Sequence, residues 1–465
     1  MNLSRSSATQ VVNSNPQMAT LAKRLRSLDY FTLAFGTMVG VGWLVVMDDW
    51  LRRGGPVGAM LGFAIGGVAL LPIGYVYGRI IAIIPDAASE IAYTSKSFSP
   101  GISFATGWMM TLAYFVVCPW EAVAVGKIAA YIFPGMDSIP LYRLGENTIY
   151  LPQLILGLGV TALITAVNYA GIRPAANIQN WLTFGLLAAF AVFLIAGATR
   201  GSPRNLHPQF SHTGWVSVLL VVQIVPYFMT GFESVAKCVE EAATGFEAHE
   251  FFPVIFAAIA VGALFYVLVI GVVAYVYPWK GLLRSSFATA VAFKHAFGAR
   301  WIVDLILAGA LLSLLKVLNG NFVAASRLVF AMGRRRMIHG SLGRVHPSKQ
   351  TPHMAVLMVG FLTAACMLLG ESILVPVTEV GSMAAATGWL ATCASYIVLR
   401  PSARPRCIAL LGAVVSALLI LMKIAPFVPG HFTYQEYSAL ALWILAGIVI
   451  SRSGGTKAGP VKSKG

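Results

Sequence analysis

Charge is scarce in this chain. Only 11% of its 465 residues are Asp, Glu, Lys or Arg, while 58% are apolar. Soluble domains carry about 25% charged residues, and a mean hydropathy of +0.77 excludes that class. Acidic residues are scarcer than basic ones, 17 against 33, leaving a formal charge of +16. Cysteine occurs only at Cys118, Cys238, Cys366, Cys393 and Cys407. None falls in an expected external loop or at metal-ligand spacing, so neither a disulfide framework nor a metal site is expected. The phosphate-binding G-x-x-x-x-G-K-[ST], H-E-x-x-H and G-x-S-x-G patterns are also missing. Gly126-Lys127 is followed by Ile128 inside an apolar run and makes no phosphate loop. The chain reads as neither an enzyme nor, by itself, a nucleotide-driven pump, and no cofactor is expected.

What is present is long apolar sequence. A helix needs about 20 apolar residues to cross the hydrocarbon core. Twelve stretches qualify, near 30–50, 56–82, 101–133, 151–170, 177–198, 216–239, 251–277, 301–331, 354–370, 374–399, 407–428 and 434–451. The third and eighth are long enough to tilt or to extend beyond the bilayer. Loops are short, and the polar first 27 residues show no cleavage site, so they read as a cytoplasmic tail. With that end inside, 19 of the Lys and Arg fall on inner segments and 9 on outer ones. This bias predicts both termini in the cytoplasm of a multi-pass cell-membrane protein. Anionic lipid accounts for the basic surface without a nucleic-acid partner. Arg327 and the run Arg334-Arg335-Arg336 read as part of that inner anchor. The eight histidines fall in loops or at span ends and read as surface residues.

Two spans are interrupted at matching places in the two halves. The first carries Gly36-Thr37-Met38-Val39-Gly40-Val41-Gly42, and the sixth carries Pro226-Tyr227-Phe228-Met229-Thr230-Gly231-Phe232-Glu233. Glycine and proline weaken helices, and bare backbone does not face lipid. Paired breaks at mid-membrane depth point to the substrate site of a secondary transporter. Amides after Gly36 to Val41 suit a carboxylate, and carbonyls around Phe228 to Gly231 suit an ammonium group. An α-amino acid presents both charges. The same glycines also fit simple close helix packing, the reading given to Gly58, Gly62 and Gly66 in span two.

Ionisable residues inside spans are costly and invite a functional reading. Glu233 is either a proton carrier or a structural acceptor for amides freed by the break. Glu121 and Lys127 in span three do not share a helical face, so each is expected to pair across helices. Glu121 alternatively favours a cationic substrate, which keeps amines and polyamines in play. Lys316, Ser313 and Asn319 share one face of span eight.

These residues carry a family resemblance. Gly36-x-x-x-Gly40-x-Gly42, Gly231-Phe232-Glu233-Ser234 with Glu240-Glu241, and Ser326-Arg327-Leu328-Val329-Phe330-Ala331-Met332 resemble segments of the amino acid-polyamine-organocation (APC) superfamily, in its amino acid permease branch. Arg334, His346-Pro347 and Thr351-Pro352 continue the likeness, with weaker matches at Gly107-Trp108 and at Asn168 to Arg173. The resemblance implies an all-α polytopic membrane protein of 12 transmembrane helices with the LeuT-like 5+5 inverted repeat. Helices 1 and 6 would be broken and two C-terminal helices added. The corresponding segments are 1–27 (tail), 28–200, 201–400, 401–451 and 452–465 (tail). It also implies a gating role for the aromatic Tyr227, and places Lys316 where sodium-coupled relatives hold an ion. The chain departs from the family pattern at Trp43. It also lacks a lysine in Gln179 to Leu187, and Ala242-Ala243-Thr244-Gly245 replaces the usual Asn-Pro.

The expectation is therefore a permease moving a small amino acid by alternating access, with a proton as coupling ion. An exchanger, or a cationic amine, polyamine or ethanolamine transporter, is the alternative. A non-transporting membrane sensor is the reading from a different class. Symport or exchange, the coupling ion and the oligomeric state stay open.

Overall fold

A computed structural model describes residues 20–454 other than 146, 284, 286 and 400–402. The two expected tails lie largely outside the described residues. Among the described residues, ten helices are long and apolar enough to cross a membrane, rather than the twelve expected. The difference has two sources. The ninth expected span is a helix of only 15 residues, His353–Met367. The sixth is three short pieces rather than one helix.

The first span starts as helix α1 (Ser27–Met38), stops at Val39 in extended conformation, and resumes as α2 (Gly42–Val45). Helix α3 (Met47–Ile83) then carries the chain out of the first span and through the second. No loop separates the two. The turn is made at Gly55, with φ 64°, and a Cβ there would lie 2.8 Å from the backbone of Phe210. Only glycine takes that conformation and that contact without strain.

A short helix, α4 (Glu90–Ser97), precedes α5 (Pro100–Phe115) and α6 (Val117–Ile132). The division between α5 and α6 follows from Pro119, whose ring clashes with the carbonyl four residues earlier, that of Phe115. An antiparallel hairpin, β1 (Pro140–Leu144) with β2 (Asn147–Tyr150), follows and pairs Arg143 with Thr148. The all-α expectation missed it because its strands are short and lie outside the apolar runs.

Helices α7 (Leu151–Ala170) and α8 (Ile172–Arg200) complete the first half. The sixth span comprises α9 (Gly214–Val222), α10 (Val225–Met229) and α11 (Ser234–Lys237). Pro226 again sets an end, four residues past Val222. After α12 (Phe251–Val276) comes a second short helix, α13 (Ala288–Phe297). Helices α14 (Arg300–Arg334), α15 (His353–Met367), α16 (Gly370–Leu399), α17 (Ala403–Ile424) and α18 (Tyr434–Gly454) follow.

Helix α14 forms the centre, packed against α1, α5, α6 and α8 and buried without interruption from Lys316 to Gly333. Helices α7, α8 and α18 are peripheral and turn apolar side chains such as Ile155, Ile195 and Leu442 outward. The stripe Gly58, Gly62 and Gly66 packs α3 onto the broken sixth span. A Cβ at these positions would meet Ser217, Val221 and Val225 at 2.9, 2.6 and 2.6 Å.

Candidate functional site

The two breaks meet. Gly231 has φ 128°, and a Cβ there would lie 2.8 Å from the Thr37 carbonyl carbon and 2.9 Å from the Met38 amide nitrogen. On the other side of the contact, Phe228 lies against Gly42, where a Cβ would come 2.9 Å from its Cδ1. Tyr266 of α12 bridges both interruptions. Its hydroxyl donates to the Phe228 carbonyl at 3.1 Å and lies 3.4 Å from that of Met38. Trp50 and Phe63 pack behind it, with Trp50 edge-on to Phe228 at 4.8 Å.

A cavity of about 280 Å³ opens beside this crossing. Its size is near the lower end for small-molecule sites. Thr37, Met38, Gly40, Val41 and Gly42 line it from the first break, and Tyr227, Phe228 and Thr230 from the sixth. Gly36, Val39 and Gly231 stand behind the lining. Gly36 presses against Gln179 of α8, close enough that a Cβ would collide with its side-chain amide.

Glu121 faces the cavity from α6, with Oε1 3.6 Å from where a Gly40 Cβ would stand. Glu121 Oε2 has no hydrogen-bond donor among the described residues. At the mouth, Asp49 pairs with Arg53, and Glu379 with Lys423 at 2.5 Å. The Tyr227 hydroxyl points to Thr378 on the cavity wall.

Lys316 lies behind the first break rather than in the cavity. Its ammonium donates to the Gly36 carbonyl at 3.2 Å and to the Val39 carbonyl, which also accepts from Ser313 at 3.2 Å. A cation at the carbonyl end of a helix is favoured by the helix dipole. Lys316 therefore satisfies α1 carbonyls that the break leaves without amide partners. It attracts Glu121 without forming an ion pair, and Asp304 is spent on Arg300.

Asn319 is fully committed elsewhere, donating to Ala175 and Gln179 while accepting from Asn168. It ties α7, α8 and α14 together and does not line the cavity. Lys127 also lies apart, on a small cavity beside the β-hairpin with Tyr150 and Gln153. Glu233 is buried, and its Oε2 accepts from the Gly231 amide at 3.1 Å. It too lies off the cavity.

The arginines have acidic partners that the sequence does not name. Arg327 is wholly buried and makes a two-point contact with Glu241, at 2.8 and 3.1 Å. Glu241 is held by the incoming chain, its backbone carbonyl accepting from the Arg24 and Leu25 amides. Arg334 pairs with Glu240, and Arg335 with Asp86. Arg327, Arg334 and Arg335 are thus bonded to protein carboxylates, and Arg327 in addition is closed off from the surface. Their acidic partners sit up to 249 residues away, and adjacency in sequence gives no sign of them.

Comparison with known proteins places this geometry in context. The family model for amino acid permeases matches residues 29–451. The chain is 24% identical over 448 residues to the branched-chain amino acid permease BcaP of Bacillus subtilis, covering 93% of this chain and 92% of that one. It is 25% identical over 397 residues to the methylthioribose transporter of the same organism, covering 83% of each. Against human cationic amino acid transporter 4 the identity is 28% over 397 residues, covering 82% of this chain and 60% of the relative. With two broken segments crossing at one cavity and a family match over nearly its whole length, the chain belongs to the amino acid permease family.

Proposed function

We propose that this permease moves a small amino acid across the cell membrane by alternating access, driven by the proton. The observation that carries the reading is the contact of the two breaks at the cavity wall, where Gly231 meets Thr37 and Met38. Backbone amides at Gly40, Val41 and Gly42 hold the substrate carboxylate, since helix starts carry unpaired N–H groups. Carbonyls of the sixth-span break from Phe228 to Gly231 hold the ammonium, and Tyr227 covers the bound molecule. Glu233 carries the coupling proton. Lys316 does by a fixed ammonium what a sodium ion would do between α1 and α14.

The helices divide as a LeuT-like pair of five-helix repeats, 28–200 and 201–400, with two more at 401–451. A short helix after the second span of each half, α4 and α13, supports that division. Both termini are cytoplasmic in this reading, and helices one, two, six and seven rock against three, four, eight and nine.

A cationic amino acid or amine is the second reading of the substrate. The unbonded Glu121 oxygen on the cavity favours it. Uptake by purified protein in liposomes, using radiolabelled neutral and cationic amino acids and amines with and without an inward proton gradient, tests the whole. Gradient-stimulated uptake of a neutral amino acid supports the first reading, and selective uptake of cations the second. Uptake only into preloaded vesicles makes the protein an exchanger. Binding without movement makes it a sensor.

A further inference from the structure

Glu90 was silent in the sequence, yet it lies at the centre of a buried ionic cluster. Glu90, Glu233 and Lys237 are all inaccessible to solvent. The Lys237 ammonium donates to Glu90 Oε1 at 2.5 Å and to the backbone carbonyl of Glu233 at 3.1 Å. Tyr77 of α3 donates to the same Glu90 oxygen at 2.6 Å, and Thr392 of α16 donates to Tyr77 at 3.2 Å. The rings of Tyr77 and Tyr114 flank the ammonium at 5.6 and 5.1 Å. Tyr114 also turns its hydroxyl toward Glu233. The other titratable neighbours are Tyr93, on Glu90's own helix, and Cys238, next to Lys237. The nearby Arg327–Glu241 pair is neutral by itself.

The charge count is uneven. Two carboxyl groups share one ammonium, and a buried charge left unpaired is expensive. A single proton on one carboxyl restores neutrality. Glu90 Oε1 takes both Lys237 and Tyr77, so the ammonium lies against Glu90 rather than Glu233. Glu233 receives one backbone amide on Oε2, and its Oε1, like Glu90 Oε2, has no partner among the described residues, which leaves room for a proton there. Glu233 and Lys237 are four residues apart, on one side of their turn. A swing of the lysine side chain therefore brings either carboxylate within reach.

We propose that Glu90, Glu233 and Lys237 form a one-proton site in which Lys237 chooses between the two carboxylates. With the proton on Glu233, Lys237 pairs with Glu90, as the structure shows. When the proton leaves, the Glu233 O–H bond breaks and the proton passes to water on the side to which the site opens. The Lys237–Glu90 contact gives way to a Lys237–Glu233 one, Glu90 keeps the Tyr77 hydroxyl, and the sixth-span segment 234–237 loses its tie to α4. The Gly231 amide links the site to the crossing, because it donates to Glu233 while Gly231 abuts Thr37 and Met38. This inference rests on the transport reading and names the residues that make it proton-driven.

The experiment uses purified full-length protein in liposomes containing a pH dye. It measures gradient-driven accumulation and counterflow of whichever amino acid of the panel the wild type takes up. One proton per substrate sustains about tenfold accumulation per pH unit, with matching acidification of the lumen. Glu90→Gln gives Lys237 permanently to Glu233, so accumulation and acidification are lost while counterflow is retained. Glu90→Gln combined with Lys237→Met leaves Glu233 permanently protonated and gives the same split. Equal loss of counterflow in protein that remains monodisperse makes the cluster a structural latch and overturns the proposal. So does gradient-driven accumulation in the double variant. A wild type that transports without moving protons refutes the proton site alone. A wild type that transports nothing refutes the transport reading with it.

Discussion

Lys316 stands 3.2 Å from the carbonyl oxygen of Gly36, fully buried, and holds the end of a helix that has no amide to continue it. A fixed ammonium here predicts transport that is indifferent to sodium. Replacing sodium by choline should leave wild-type uptake unchanged. Lys316→Met should abolish it, because the Gly36 and Val39 carbonyls lose their donor and an unmet buried polar group costs about 1–3 kcal/mol. Sodium-dependent uptake with Lys316 intact would sink this account.

Gly231 predicts a steric effect at the crossing. Alanine there needs a backbone conformation that L side chains rarely adopt, and its Cβ would press on the Thr37–Met38 peptide. Backbone strain of this kind costs about 1–3 kcal/mol. Gly231→Ala should lower the melting temperature in detergent and reduce uptake by more than Gly245→Ala. Gly245 also has positive φ, but a Cβ there meets nothing within 4 Å. Equal effects at the two positions would remove the close approach as the cause.

Arg327 and Glu241 offer a double-mutant cycle. Removing one member of a buried ion pair typically costs about 3–5 kcal/mol, whereas removing both leaves no stranded charge. Arg327→Met and Glu241→Gln should each destabilise strongly, and the double variant should be more stable than either. Thermal unfolding of the three proteins in one detergent checks it, and additive losses would mean that the pair is not coupled.

Glu121 discriminates between substrate classes. Glu121→Gln removes the negative charge from the cavity wall while keeping its shape. If the substrate is cationic, its KM should rise by at least about tenfold, equivalent to 1.4 kcal/mol. A neutral amino acid should lose much less. Competition between arginine and leucine for uptake, measured in wild type and variant, reads this directly.

Much of this was legible in the chain because it depends on local chemistry. The glycines at 36, 40 and 42 and Pro226 mark breaks before any partner is known, but proline alone does not decide, since Pro72 and Pro376 stand inside helices that continue past them. Partner identity is not local. Tyr266 is an unremarked tyrosine in an apolar run until its hydroxyl reaches two carbonyls, one of them 228 residues away. Glu90 and Lys237 are 147 residues apart, and each alone looks like a residue near the end of a span. Asn319 shares a face with Lys316, yet three residues of rise are enough to give it a different set of neighbours. Helix periodicity fixes which side a residue takes, and packing decides what stands there.

The turn at Gly55 has a mechanical consequence. Because α3 leaves the first span and becomes the second through one residue, the two stretches are joined with no slack between them. Tyr77 lies about 33 Å along the second stretch at 1.5 Å per residue. There it donates to Glu90, away from the cavity lining. A tilt at Asp49 and Arg53 can therefore pass along the chain to the second span only through the single non-helical residue Gly55. Lengthening the chain at Gly55 by a few flexible residues would loosen that single joint and, with it, the contact of the turn with Phe210.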